Sequence, residues 1–265
     1  MTDNRDVFPL VISGSNVVRD TNNSRYRLNF PQPVNFRNSS VAVGSVSMYY
    51  SWFNVNASTY NNNVFQIIHP NGAGFTTLTI TLPNGFYSVS DINSYIQQQL
   101  IANNFYLIDN NGNYVYYIQL VENGTYYSIE QDSFPVPISL PTGWTNPGLS
   151  LPAVATTPQL VIPSNNNFGR LIGFNAGTTP SPVQSVVLTC NLLQNKYMSP
   201  QNVLYSFTSS GSQFGTLIER APNFEQYVAV ADGDYSSIEI QFLSQDYLPL
   251  PINDPNITII LLIKI

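Results

Sequence analysis

Thr77-Leu78-Thr79-Ile80-Thr81-Leu82 alternates without a break, three threonines facing one way and Leu78, Ile80 and Leu82 the other. A period of two is the signature of a strand with one wet face and one buried face. Residues 237–242 repeat it, with Ile238, Ile240 and Phe242 opposing Ser237, Glu239 and Gln241. Val41, Val43, Val46 and Met48 keep the alternation but slip phase at Gly44-Ser45, which predicts a bulge. Residues 257–265 are apolar on both faces in their middle, the pattern of a strand running through the interior of a sheet.

Turn chemistry joins further strands into a meander. Residues 105–108 and 114–121 flank Asp109-Asn110-Asn111-Gly112-Asn113, and a second turn follows at Glu122-Asn123-Gly124. Asn-Gly supplies the positive φ that hairpin turns require. One segment departs from this rhythm. After Pro83-Asn84-Gly85 stops a strand, Ile92, Tyr95, Ile96 and Leu100 recur at helical spacing, and Ser88 with Asp91 forms a capping box. The spacing predicts one substantial helix over residues 88–102, with a shorter turn around residues 168–171. Residues 134–163 carry seven prolines, whose missing amide donors exclude a central strand there. The expectation is an all-β chain: a single jelly-roll β-sandwich over residues 1–265, with one short helix and residues 134–163 as a Pro-rich insertion or surface excursion.

Charge is scarce. Only 9% of the 265 residues are charged, 9 Lys and Arg against 15 Asp and Glu, where soluble domains carry about 25%. A folded monomer of this mass exposes about 11,500 Å², which leaves roughly one charge per 480 Å² against about one per 170 Å² at ordinary usage. Asn, Gln, Ser and Thr take over the polar duty, interleaved with 17 Tyr and 15 Phe. Such a surface either stays neutral in water or is covered by neighbouring subunits, which points toward an assembly component. Net charge is −6 with no run of Lys or Arg, so direct binding to a phosphate backbone is not expected. The single cysteine, Cys190, excludes an internal disulfide. Residues 1–6 are polar and unlike a secretory signal, and the apolar residues 257–265 are too short to span a bilayer. The expectation is a soluble protein, made inside the cell, with no membrane anchor.

Catalytic chemistry finds little to work with. His69 is the only imidazole, set in Ile68-His69-Pro70-Asn71-Gly72 at a strand end, and reads as an ordinary turn histidine. Cys190 sits at a strand position with no nearby cation or helix start to lower its pKa, and reads as a small hydrophobe. One histidine and one cysteine cannot assemble a usual zinc site. Asp109, Asn111 and Asn113 have the opening spacing of a calcium loop, but Tyr114 and Leu120 stand where it needs glycine and glutamate. Asp232-Gly233-Asp234 reads as a polar turn, with an intersubunit Ca²⁺ as the alternative. No phosphate-cradling glycine loop occurs. No catalytic, cofactor or metal residue is therefore assigned, and the chain is read as no enzyme. Trp52 follows a strand beside Tyr49, Tyr50 and Phe53 and reads as packing; Trp144, in the Pro-rich excursion, is the candidate exposed contact residue. Asn-x-Ser/Thr triplets at Asn38, Asn56, Asn123 and Asn256 arise readily in so Asn-rich a chain and are discounted as glycosylation sites.

Several stretches carry a resemblance. Tyr26-Arg27-Leu28-Asn29-Phe30-Pro31 leads to residues 41–50 and Ser51-Trp52-Phe53-Asn54-Val55. Then come Tyr60-Asn61-Asn62-Asn63-Val64-Phe65, Pro83-Asn84-Gly85-Phe86-Tyr87 and Asp91-Ile92-Asn93. Leu171-Ile172-Gly173-Phe174, Val203-Leu204-Tyr205-Ser206-Phe207 and the closing residues 257–265 complete the series. In order and spacing they resemble the penton (minor capsid) proteins of virophages and Polinton-like viruses, most weakly in the Pro-rich section. The resemblance implies a jelly roll, homopentamers at the fivefold vertices of an icosahedral capsid, double-jelly-roll major capsid proteins as neighbours, and no catalytic residues. It places the chain in the virion, at the capsid vertex, after assembly inside the host cell. Residues 1–6 would then be an arm toward neighbours, and residues 134–163 the outward element, available to a host-surface glycan or receptor. The competing reading is a carbohydrate-binding β-sandwich, a fibre or lectin-like module; a glycoside-cleaving enzyme comes third.

Overall fold

In the computed structural model, which describes residues 6–126, 128–172, 182–195, 197 and 199–265, the chain opens with β1 (Val7–Ser13), β2 (Val18–Arg19), β3 (Arg25–Phe36) and β4 (Ser40–Tyr49). It continues through β5 (Val64–Asn71), β6 (Gly74–Thr81), α1 (Val89–Ala102), β7 (Leu107–Ile108) and β8 (Tyr114–Val115). Then follow β9 (Ile118–Asn123), β10 (Ser128–Ser133), β11 (Gln159–Val161) and α2 (Phe168–Ile172). The last strands are β12 (Ser185–Cys190), β13 (Val203–Thr208), β14 (Leu217–Arg220), β15 (Val228–Ala229), β16 (Gly233–Ser244) and β17 (Ile257–Lys264).

The chain divides into two compact units, Met1–Trp52 with Val183–Ile265, and Phe53–Pro182. In the first unit one sheet has the order β1-β17-β4-β14, with β15 also on β4, and the other β13-β12-β16-β3-β2. Leaving out the two-residue β2 and β15, eight strands remain. Counted along the chain, one sheet reads first-eighth-third-sixth and the other second-seventh-fourth-fifth. That is the strand order of a jelly roll. The chain enters the second unit between the third and fourth of these strands.

Alternation builds the core of the jelly roll. Val41, Val46, Met48, Ile259 and Leu261 from one sheet and Tyr26, Leu188, Ile238, Ile240 and Phe242 from the other are all solvent-free. Each such side chain contributes about 1.5–3 kcal/mol by leaving water. β17 lies between β1 and β4, as its apolar sequence predicts. The phase slip at Gly44 is a bulge: Ile260 pairs with Ser45 and Leu261 with Val43, leaving Gly44 unpaired. A Cβ there would press on the Ile260 carbonyl at 3.3 Å, so glycine lets β17 close against β4.

The second unit has its own core, in which Phe65, Ile67, Ile80, Ile92, Ile96 and Phe168 meet. Phe65 and Phe168 stack at 4.4 Å. The sheet β11-β5-β6 and the hairpins β7–β8 and β9–β10 frame it. Both predicted hairpins are present, and α2 stands where the shorter turn around residues 168–171 was expected. The Pro-rich residues 134–163 are one part of this larger insertion. Val136 and Leu149 are buried in its core, and β11 pairs with β5 as an edge strand. All seven prolines of this stretch lie outside β11.

α1 starts as its sequence requires. Ser88 Oγ accepts from the Asp91 amide at 3.1 Å, and the Asp91 carboxylate accepts from the Ser88 amide at 2.9 Å. The Ser88 hydroxyl, which donates to the same carboxylate at 2.7 Å, and then the Ser88 amide hold the Asp91 carboxyl below its usual pKa. Ser88→Ala is expected to destabilise the insertion by about 1 kcal/mol, read by urea denaturation.

Candidate functional site

Large apolar side chains are exposed at both edges of the sheet β1-β17-β4-β14. On β1, Val7, Phe8 and Val11 are 45%, 51% and 46% exposed. At the opposite edge stand Leu217 on β14, its cross-strand partner Tyr49 on β4, and Phe214 in the preceding turn, all exposed. Phe214 meets Tyr50 edge-on at 5.9 Å, which fixes its ring at that edge. The two patches are unlike in sequence and lie on opposite margins of one sheet. On the other sheet Glu239 holds Arg27 at 2.6 Å and Arg25 at 3.3 Å.

A cavity of about 330 Å³ opens beside β13, lined by Val43, Leu204, Tyr205, Pro222, Phe224 and Gln226 among others. Its lining is apolar and amide in character, with the Tyr205 phenol its one titratable side chain. Among the described residues no three His, Cys, Asp or Glu side chains cluster as metal ligands, and no helix is long and apolar enough to cross a membrane.

The residues singled out in the sequence scatter. Cys190 is fully buried in β12, and burial pushes its thiol pKa up to about 12. Asp109 accepts from the amides of Asn111 and Asn113, both at 2.8 Å, and from Asn113 Nδ2 at 3.0 Å, so its carboxylate closes the hairpin turn. These bonds lower its pKa. Asp232 accepts from the Asn38 amide at 2.9 Å, and Asp234 from the Asn35 side chain. Trp52 is fully buried. Trp144, expected as an exposed contact, is half-buried and packs against the core of the insertion. Its amide closes a turn onto Pro141, and Thr145 bridges to Ile108, which ties this stretch down. The arm expected at residues 1–6 lies, apart from Asp6, outside the described residues.

His69 sits within β5 and is solvent-free rather than at an exposed turn. Its ring stacks on Phe105 at 4.6 Å and Nδ1–H donates to the Pro70 carbonyl at 2.8 Å, leaving buried Nε2 without a partner. Burial lowers its pKa below 6.5, against a smaller opposing effect of the Pro70 bond. Below pH 6.5 the unfolded chain therefore binds more protons than the native one, and stability falls as pH drops from 6.5 toward the native value. His69→Phe should flatten the pH dependence of thermal unfolding between pH 7 and 5, which differential scanning fluorimetry reads directly.

Asparagine carries structure that composition alone hides. Asn54 exchanges two bonds with the Tyr87 backbone, Asn62 links the Asn56 amide to the Asn54 carbonyl, and Asn56 accepts from Ser58 and Thr59. These amides satisfy buried loop backbone without a charge.

No family model and no curated protein matches the sequence. Among solved structures the fold is similar to the mavirus penton protein, at a TM-score of 0.46 and 10% identity, covering 98% of this chain and 99% of that one.

Proposed function

We propose that this chain is a structural penton protein: a jelly roll that forms homopentamers at the fivefold vertices of an icosahedral capsid, beside double-jelly-roll major capsid proteins, and that performs no catalysis. The observation that carries the reading is the pair of unlike apolar patches, Val7, Phe8 and Val11 at one sheet edge and Tyr49, Phe214 and Leu217 at the other. A head-to-tail contact that closes into a ring buries two different faces of each subunit. At ordinary interface size each contact covers about 800 Å² per partner. Sparse charge keeps the desolvation cost of that burial low, and the resemblance of residues 26–31, 41–55 and 257–265 to penton sequences points the same way. The chain would then reside in the virion, with the insertion free to meet a host-surface receptor. Light scattering of the purified protein, alone and with its shell protein, tests this: a fivefold mass supports it, and a strict monomer in both overturns it. The carbohydrate-binding alternative finds no flat, open ring at Trp144, since that side chain is half-buried.

A further inference from the structure

Several sheet edges among the described residues carry partial caps. The bond from the Ile265 amide to the Asp6 carbonyl sets the alternation on β1, so Val7, Pro9, Val11 and Ser13 turn their backbone groups outward. Pro9 has no amide to offer, while Asn16 donates to the Val11 carbonyl and accepts from the Ser13 amide. On β14 and β13, Arg220 donates to the carbonyls of Glu219, Thr208 and Ser210. On β11, Gln131 accepts from the Leu160 amide at 2.7 Å and donates to the Pro158 carbonyl at 3.1 Å. Proline and side-chain caps of this kind prevent unwanted strand pairing.

β6 carries no such cap between Phe75 and Thr79. The bond from the Leu82 amide to the Asn63 carbonyl fixes its alternation, so Phe75, Thr77, Thr79 and Thr81 point their backbone groups away from β5. Tyr95 takes the Thr81 carbonyl. The amides and carbonyls of Phe75, Thr77 and Thr79 have no partner among the described residues. This strand contains no proline and no charge, and Phe75 is 63% exposed.

The geometry points to β6 as a strand-pairing edge whose occupant is β6 of a second copy, antiparallel and centred on Leu78. That register sets Thr77 opposite Thr79 of the copy and Phe75 opposite Thr81. Every outward residue then meets an outward residue, and β11-β5-β6 doubles into a six-stranded sheet. An uncharged strand meets no like charge in its copy, and opposed threonines form favourable cross-strand pairs. The contact is twofold, so it lies outside any head-to-tail ring, and its failure leaves the penton reading untouched.

Sedimentation velocity across a concentration series, paired with amide hydrogen exchange, tests it. The expected result is a doubling of the base species with concentration, together with slowing by about tenfold or more at the amides of Phe75, Thr77 and Thr79. Thr79→Pro, which removes one outward amide, and Thr77→Lys, which sets a charge on the edge, should both abolish the doubling while circular dichroism stays unchanged. A base species that never doubles overturns the proposal. So does protection of these amides at every concentration, which would mean that a segment of the same chain covers the edge.

Discussion

Phe8→Glu is expected to break the ring into folded subunits. Phe8 is half exposed on β1 at the edge of its sheet, and in the proposed ring the neighbouring subunit covers it. Truncating a central apolar residue of an interface costs about 2 kcal/mol or more per contact. A carboxylate adds the cost of burying a charge with no basic group facing it. In a closed ring each subunit suffers this loss once as donor and once as acceptor, so assembly should fail at concentrations where the unaltered protein is fully assembled. Leu217→Glu, at the opposite edge, should do the same, although β17 and β4 separate the two strands in the sheet. Size-exclusion chromatography with light scattering reads the outcome, and an unchanged thermal midpoint shows that the fold survives.

Phe242→Ala carries the largest expected loss of stability. Phe242 is solvent-free in β16, between β12 and β3, and meets the buried Tyr26 ring edge-to-face at 5.8 Å. Deleting it removes the transfer energy of the ring and leaves a cavity that two sheets cannot readily close. The expected cost is about 3–5 kcal/mol, a large share of the roughly 5–15 kcal/mol that holds a typical domain folded. Phe224→Ala, at a ring 83% exposed, should change stability by less than about 0.5 kcal/mol in the same urea titration. Equal effects from the two would contradict the core described here.

Local features were legible wherever a residue's role is set by its immediate neighbours. The strand at residues 77–82, the bulge at Gly44, the capping box at Ser88 and both hairpins follow from spacing and turn chemistry alone. The division at Phe53 was not, because strands of the insertion alternate in the same way as those of the jelly roll. What separates them is partnership: β17 pairs with β1 and β4, more than 200 residues away in the chain. Periodicity says that a strand has a buried face but not which strand covers it. The Asn54, Asn56 and Asn62 network was hidden for a related reason, since asparagine in sequence reads as surface until a buried carbonyl is found beside it. Trp144 was placed by its proline-rich neighbours, and these proved to be docked onto a core. The exposed pair Phe8 and Leu217 gave no signal either. An apolar strand residue becomes a contact residue only once the sheet leaves it at an edge.

The most direct measurement is chemical cross-linking between the two patches. Cys190 is fully buried, so Asp6→Cys with Thr216→Cys, at exposed positions beside the two patches, places the only accessible thiols at opposite margins of the sheet without truncating either patch. Treatment of the assembled protein with a bifunctional maleimide should give a ladder that climbs one subunit at a time and stops at five. A ladder that stops at two, or no ladder at all, would contradict a head-to-tail ring.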